Sequence, residues 1–136
     1  MVVLVPIDDS DPAWTALELA VEAFPGTLLV VHVVDPLRAL ATHGSRGLDG
    51  AMDAAQHDAE RILAAATAHA DSRGVATETE VAFGDPARTI LEYAALDEVD
   101  HVVIGSHGRT GVGRILLGSV AETVLRRSPV PVTVAR

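Results

Sequence analysis

The chain has 136 residues, of which 49% are hydrophobic and only 3% aromatic, so its core must be built from aliphatic side chains. A formal net charge of −9 disfavours broad binding to nucleic acid or to an anionic membrane, because either partner would be repelled. The absence of cysteine excludes disulfides, thiolate nucleophiles and cysteine-ligated metals, and the histidines show no ligand spacing, so we expect no zinc site.

The same composition predicts a single domain over residues 1–136. No apolar run approaches the length of a membrane-spanning helix, and the N-terminus lacks the basic region of a signal peptide, so we expect a cytoplasmic protein. All ten basic residues are arginine, which fits either a GC-rich genome or a salt-adapted cytoplasm.

The first half of the chain predicts two buried strands and two helices. Unbroken apolar runs over 2–7 and 28–34 predict strands covered on both faces. Between them, Asp11 and Pro12 are a cap residue and a proline that predict the start of a helix ending before Gly26. Residues 35–50 carry three glycines and predict an irregular, mobile segment, which precedes a long helix with an apolar stripe from Met52 to Ala70.

The second half predicts three strands and two helices. Segment 75–81 alternates polar and apolar residues, which is typical of a strand near a sheet edge, and a helix is expected to start at Asp85–Pro86. The apolar run 101–104 predicts a central strand. Ser119 and Glu122 have the spacing of a capping box that opens the last helix, and Pro131 places the final strand at a sheet edge.

Strands that alternate with helices predict βαβ units with right-handed crossovers. The expected fold is therefore α/β, a doubly wound, open five-stranded parallel sheet with helices on both faces. Strands one and four are the expected neighbours at the point where chain order reverses, and ligands bind there at the carboxyl ends of the strands. The tips that begin at Pro6 and at Gly105 should then face the same crevice.

The tip after strand four reads GSHGRTGVGRILLGS, from Gly105 to Ser119, and contains five glycines and two arginines. Glycine lets backbone N–H groups approach an anion, and the N-terminus of the following helix adds its dipole, so this loop predicts phosphate binding. It is not a P-loop, which needs a lysine, and G-x-G-x-x-G is absent. The capping-box spacing leaves Ser119 open to either helix capping or phosphate contact.

The spacing Gly105-x-x-Gly108, nine residues, then Gly118–Ser119 resembles the nucleotide-binding signature of the universal stress protein family, in its ATP-binding branch. The resemblance covers essentially the whole chain, because VVLVPIDDS, LLVVHVVD, FGDPARTIL and the C-terminal third are each similar to the family in register. It implies a Rossmann-like sheet of the adenine nucleotide alpha hydrolase type, with strand order 3-2-1-4-5.

The resemblance also implies a set of residues around ATP. Those bordering the adenosine would be Pro6, Ile7 and Asp8, with the backbone of Val33 offered to the adenine ring. Those around the ribose and phosphates would be Ile104, Gly105, His107, Gly108, Gly118, Ser119, Val120 and Ala121, with Arg109 adding charge at the rim. Mg²⁺ or Mn²⁺ would be held through the phosphates, and no metal ligand is assigned to the protein.

The implied function is that of a small stress-response protein whose nucleotide occupancy changes its conformation and its partner binding. The family's usual homodimer would pair through the edge strand over 130–135, and nucleotide would order segments 35–50 and 109–114. A receiver domain is disfavoured because it needs a lysine, and no catalytic triad or carboxylate pair is evident, so we expect slow ATP hydrolysis at most. The alternatives are a nucleotide-independent dimeric interaction module and a nucleotide-processing enzyme.

Overall fold

The computed structural model describes residues 1–107 and 117–136, so the predictions for Gly108, Arg109 and the rest of segment 109–114 lie outside the described residues. Five parallel strands form one sheet: β1 (Val2–Pro6), β2 (Thr27–Val34), β3 (Thr77–Phe83), β4 (His101–Gly105) and β5 (Val132–Ala135). Their order is β3-β2-β1-β4-β5. The predicted parallel sheet and its strand order are confirmed.

Helices cover both faces of the sheet: α1 (Asp11–Ala23), α2 (Pro36–His43), α3 (Gly47–Ser72), α4 (Pro86–Ala94) and α5 (Ser119–Arg127). One buried cluster joins α1 and α3 to the side chains of one sheet face, and a second joins α4 and α5 to the other. This is the doubly wound arrangement predicted. Within the described ranges, no helix is both long enough and apolar enough to cross a bilayer.

Three helices begin at a capping oxygen followed by proline. The Ser10 hydroxyl accepts from the Ala13 N–H at 3.3 Å ahead of α1, so the cap lies one residue before the predicted Asp11. The carboxylate of Asp35 accepts from the Leu37 N–H at 3.0 Å ahead of α2, and that of Asp85 accepts from the Arg88 N–H at 3.0 Å ahead of α4. Each cap satisfies a donor that the first helical turn leaves unpaired.

The prediction that residues 35–50 form an irregular segment is wrong. They contain α2, a short 3-10 turn at Gly44–Arg46 and the start of α3. The Asp35 cap starts the helix, and Ala39, only 6% exposed, packs against Val34 and Ala59 in a small cluster at the end of the sheet. This packing outweighs the low helix propensity of the glycines that follow.

The predicted capping box at Ser119 is also wrong. Gly118 is the N-cap of α5, and no side chain forms a hydrogen bond at this cap. The Gly118 N–H donates to the Ser106 carbonyl at 2.6 Å, which fixes the chain one residue before Ser119 and makes Ser119 the first helical residue. The hydroxyl of Ser119 is therefore not used to cap the helix.

Candidate functional site

A cavity of about 520 Å³ opens at the carboxyl ends of β1, β2 and β4, where chain order reverses. Its size lies within the range of roughly 300–1,000 Å³ typical of small-molecule sites. Eleven of the thirteen predicted site residues line it: Pro6, Ile7, Asp8, Val33, Ile104, Gly105, His107, Gly118, Ser119, Val120 and Ala121. The structure thus brings together every predicted residue that it describes.

At one end of the cavity lies the N-terminus of α5. Gly118 and Ser119 line the wall, and while the Gly118 N–H donates to Ser106, the N–H groups of the first turn of α5 belong to a helix start without a side-chain cap. A Cβ on Gly118 would lie 3.0 Å from the Cα of His107, so the tips on either side of the glycine loop are packed closely together. Unpaired N–H groups and the positive end of the helix dipole make this end suitable for an anion.

Gly105 has a packing role that the sequence did not reveal. A Cβ at this position would lie 2.7 Å from the Pro12 carbonyl carbon, 2.8 Å from its oxygen and 2.9 Å from the Ala13 nitrogen. All three atoms belong to the backbone of the first turn of α1, so the lack of a side chain lets this helix pack directly on β4. The glycine is therefore required by the fold as well as placed at the cavity.

The loop after β1 holds Asp8 at the cavity wall. The Ser10 N–H donates to Asp8 Oδ1 at 3.0 Å, and the Ser10 hydroxyl donates to the same oxygen. Because Ser10 also caps α1, the position of the Asp8 carboxylate is coupled to the start of that helix.

His32 ties β2 to the same loop. Its Nδ1 lies 2.7 Å from the Ile7 carbonyl oxygen, and the ring is 8% exposed. A carbonyl oxygen only accepts, so Nδ1 carries the proton and donates. In a regular parallel ladder this carbonyl would accept from the Val33 N–H, since the Ile7 N–H already donates to Val31 at 2.8 Å. The histidine ring takes that place.

As a result, β2 has a short edge, the N–H and C=O of Val33, that lacks backbone hydrogen bonds in the part of the chain that the structure describes, and we call it the bare edge. Backbone groups of even-numbered β2 residues face β3, as shown by the bonds from Leu28 to Ala76 and from Gly84 to Val34. Odd-numbered residues face β1, but β1 ends at Pro6, opposite Val31. The N–H and C=O of Val33 therefore point past the end of β1 into the cavity, and neither has a backbone partner within the described residues.

The far end of the cavity is formed by residues outside the predicted set, from α2, which was not predicted, and from α3, which was predicted but not placed at the site. They are Arg38, Ala39, Thr42 and His43 from α2, and Ala55 and Asp58 from α3. His43 Nε2 lies 3.4 Å from Asp58 Oδ2 and joins the two helices beside the cavity. The available signal was the Asp35–Pro36 pair, which matches the start predicted correctly at Asp85–Pro86.

This end also has an apolar surface between the two helical layers, formed by Val31, Val34, Pro86 and Ile90. The charged groups of the whole described lining are four carboxylates, Asp8, Asp35, Asp58 and Glu122, and one guanidinium, Arg38. Across the described residues, no group of three or more His, Cys, Asp or Glu side chains is placed to hold a metal ion.

Comparison with known proteins identifies the family. The sequence profile of the universal stress protein family matches residues 1–136. The chain belongs to this family. Universal stress protein MJ0531 of Methanocaldococcus jannaschii is 33% identical over 139 residues, covering 98% of this chain and 81% of that protein. Universal stress protein YxiE of Bacillus subtilis is 32% identical over 143 residues, covering 98% and 97%.

Solved structures of universal stress proteins share the fold. MJ0577 of Methanocaldococcus jannaschii aligns with a TM-score of 0.85 at 26% identity, covering 98% of this chain and 94% of that one. A universal stress protein in complex with cAMP and one from Archaeoglobus fulgidus in complex with dAMP each align with a TM-score of 0.67 at 24% identity, over 100% of this chain and 96% and 98% of theirs. The likeness to these two complexes shows the fold alone.

Proposed function

We propose that this universal stress protein binds ATP in the cavity, in the cytoplasm, and that nucleotide occupancy rather than turnover is its output. The observation that carries the proposal is the bare edge of Val33 at one end of a cavity whose other end is the N-terminus of α5. One end offers a hydrogen-bond donor and acceptor side by side, and the other offers N–H groups to an anion. A nucleotide has the matching groups at its two ends.

The Val33 edge fits the 6-amino edge of adenine. Adenine presents its 6-amino donor beside a ring-nitrogen acceptor, N1 or N7. A backbone C=O can accept from the amino group while the N–H donates to the ring nitrogen. The apolar surface of Val31, Val34, Pro86 and Ile90 next to this edge suits the faces of the base.

The proposed pose places the phosphates at Gly118 and Ser119, where the Ser119 hydroxyl is not engaged as a helix cap. Four carboxylates and one guanidinium in the described lining disfavour a bare triphosphate. We therefore propose that ATP enters with Mg²⁺ or Mn²⁺ on its phosphates, which offsets their charge. Solved complexes of this fold with cAMP and dAMP support a site of this kind for adenine nucleotides.

We further propose a homodimer through β5, the last strand in the sheet order. The carbonyls of Pro131 and Ala135 accept from the N–H groups of Val102 and Ser106, so the backbone groups of odd-numbered β5 residues face β4. The backbone groups of Val132 and Val134 therefore point to the outer edge. Such an edge can pair with its own copy about a two-fold axis. The effect of nucleotide binding would be transmitted to partner proteins through α2, which forms part of the cavity wall.

The test is a calorimetric titration of ATP with Mg²⁺ into wild type, Val33→Pro and Val33→Ala. Proline removes the N–H that faces the cavity but no bond to β3, because the ladder with β3 uses even-numbered β2 residues. Alanine keeps the N–H and removes most of the side chain. We expect Val33→Ala to bind ATP within a few-fold of wild type, and Val33→Pro to bind at least about tenfold more weakly.

Thermal unfolding of all three proteins controls for folding. Equal ATP binding by the proline and alanine variants, with both folded, would show that the Val33 N–H forms no hydrogen bond with the ligand. If folded wild type showed no saturable heat with ATP and Mg²⁺, the ATP-binding proposal itself would be wrong, and a nucleotide-independent role of the same fold would take its place.

A further inference from the structure

The base end of the cavity holds one carboxylate immediately after the bare edge of β2. Asp35 lies two residues beyond Val33, is half-buried, and lines the cavity. Asp35 has extended backbone angles of φ −86° and ψ 115°, so the chain continues in the direction of β2 as far as this residue. Asp35 and Val33 therefore line the same cavity, two residues apart in the chain.

The orientation of this carboxylate is fixed by the start of α2. Oδ1 accepts from the Leu37 N–H at 3.0 Å, which is the N-cap bond of the helix. Pro36 follows and restricts the backbone at the cap. Because Oδ1 accepts a hydrogen bond from the helix start, Oδ2 is the Asp35 oxygen that can accept a hydrogen bond from a ligand.

We propose that Asp35 is a specificity-determining residue that selects 6-aminopurine nucleotides over 6-oxopurine nucleotides, an inference that rests on the proposed function. The 6-amino group of adenine has two hydrogens. One is donated to the Val33 carbonyl, and Asp35 Oδ2 accepts the other. A carboxylate accepts and cannot donate, so the oxo group of hypoxanthine or guanine would place oxygen lone pairs against it.

The substitution Asp35→Asn isolates this effect. Asparagine is as good an N-cap as aspartate, so its Oδ1 can keep the Leu37 bond while its NH₂ replaces Oδ2. The group facing the base then changes from an acceptor to a donor without loss of the helix. Asp85→Asn is the matched control, because Asp85 caps α4 before a proline in the same way but does not line the cavity.

The experiment compares dissociation constants of ATP and ITP, each with Mg²⁺, for wild type and both variants. ATP and ITP differ only in the 6-position and the proton on the adjacent ring nitrogen. We expect wild type and Asp85→Asn to prefer ATP by at least about tenfold, and Asp35→Asn to reduce that ratio by about tenfold, since a site built around a polar group rejects its mismatch strongly.

An ATP-to-ITP ratio in Asp35→Asn equal to that of wild type would overturn the role of Asp35 while leaving ATP binding intact. A similar fall in Asp85→Asn would also overturn it, because the effect would then belong to capping in general. Wild type that binds ITP as well as ATP would refute selection at the 6-position. Failure of wild type to bind either nucleotide would refute both this assignment and the proposed function.

Discussion

Replacing Gly105 with alanine should destabilise the protein sharply, although the change adds one methyl group. The new Cβ would lie 2.7 to 2.9 Å from three backbone atoms of Pro12 and Ala13. These atoms cannot rotate away, because they form the first turn of α1, whose cap is held by Ser10. Relief requires α1 to move off β4, and overpacking of this kind costs about 1–3 kcal/mol.

We expect Gly105→Ala to lower the free energy of unfolding by about 3 kcal/mol, the upper end of the range for overpacking. At roughly 4 °C per kcal/mol for a domain of this size, the melting temperature should fall by about 12 °C. Urea denaturation followed by circular dichroism measures the free energy directly, because the change in midpoint at constant slope gives the difference in stability.

Gly44→Ala is the matched control. Gly44 has φ −61°, which alanine adopts readily, and a Cβ added to it would meet no atom within 4 Å. This variant should be as stable as wild type or more stable by up to about 1 kcal/mol. A Gly105→Ala protein within about 0.5 kcal/mol of wild type would refute the packing argument, since ordinary surface substitutions produce changes of that size. Weak ATP binding by such a stable variant would assign the glycine to the ligand alone.

Two further predictions concern pH and assembly. Burial lowers the pKa of His101, whose ring lies 4.7 Å from that of Phe24 and whose Nε2 is 2.8 Å from the Thr133 hydroxyl. The neutral form is favoured in the folded state, so its contribution to stability is present above pH 6.5 and is lost as the pH falls below this unfolded value. His101→Gln should show a smaller loss of stability on acidification in urea titrations, and an unchanged pH dependence would contradict the assignment. Val134→Pro removes an N–H from the outer edge of β5 but none from the ladder with β4, so sedimentation should show a monomer where wild type is a dimer. A folded Val134→Pro dimer would exclude pairing through this edge.

Much of the fold could be predicted because apolar patterning and capping signals agree along most of the chain. The unbroken runs around Val3, Val30 and Val103 are central strands in which these three valines are fully buried, and Pro131 does precede an edge strand. Residues 35–50 were wrongly predicted to be irregular because the low helix propensity of their glycines was given more weight than the Asp35 cap. Local propensity costs about 1 kcal/mol per glycine, whereas the packing of Ala39 on Val34 and Ala59 is visible only in three dimensions.

The candidate site could be predicted in part, for a different physical reason. Residues such as Asp8 and Ser119 follow strand ends or open helices, and topology alone brings those positions together. The contribution of α2 and α3 to the cavity depends on tertiary packing between Ala39 and Ala59, and the Asp35–Pro36 pair signals only the start of α2. The clash that requires glycine at position 105 likewise comes from Pro12, which is remote in sequence.

In the proposed ATP complex, the early end of β1 leaves recognition of the base to the main chain of Val33, and the bond between His32 and Ile7 supports this edge. Every residue except proline has the same N–H and C=O groups, so the side chain at this position can vary during evolution without loss of base recognition. Neutral drift would then erase the sequence signal for the base while the ligand is retained. Loss of the ligand would instead follow from a proline, an insertion that shifts the strand, or removal of the histidine that keeps the edge bare.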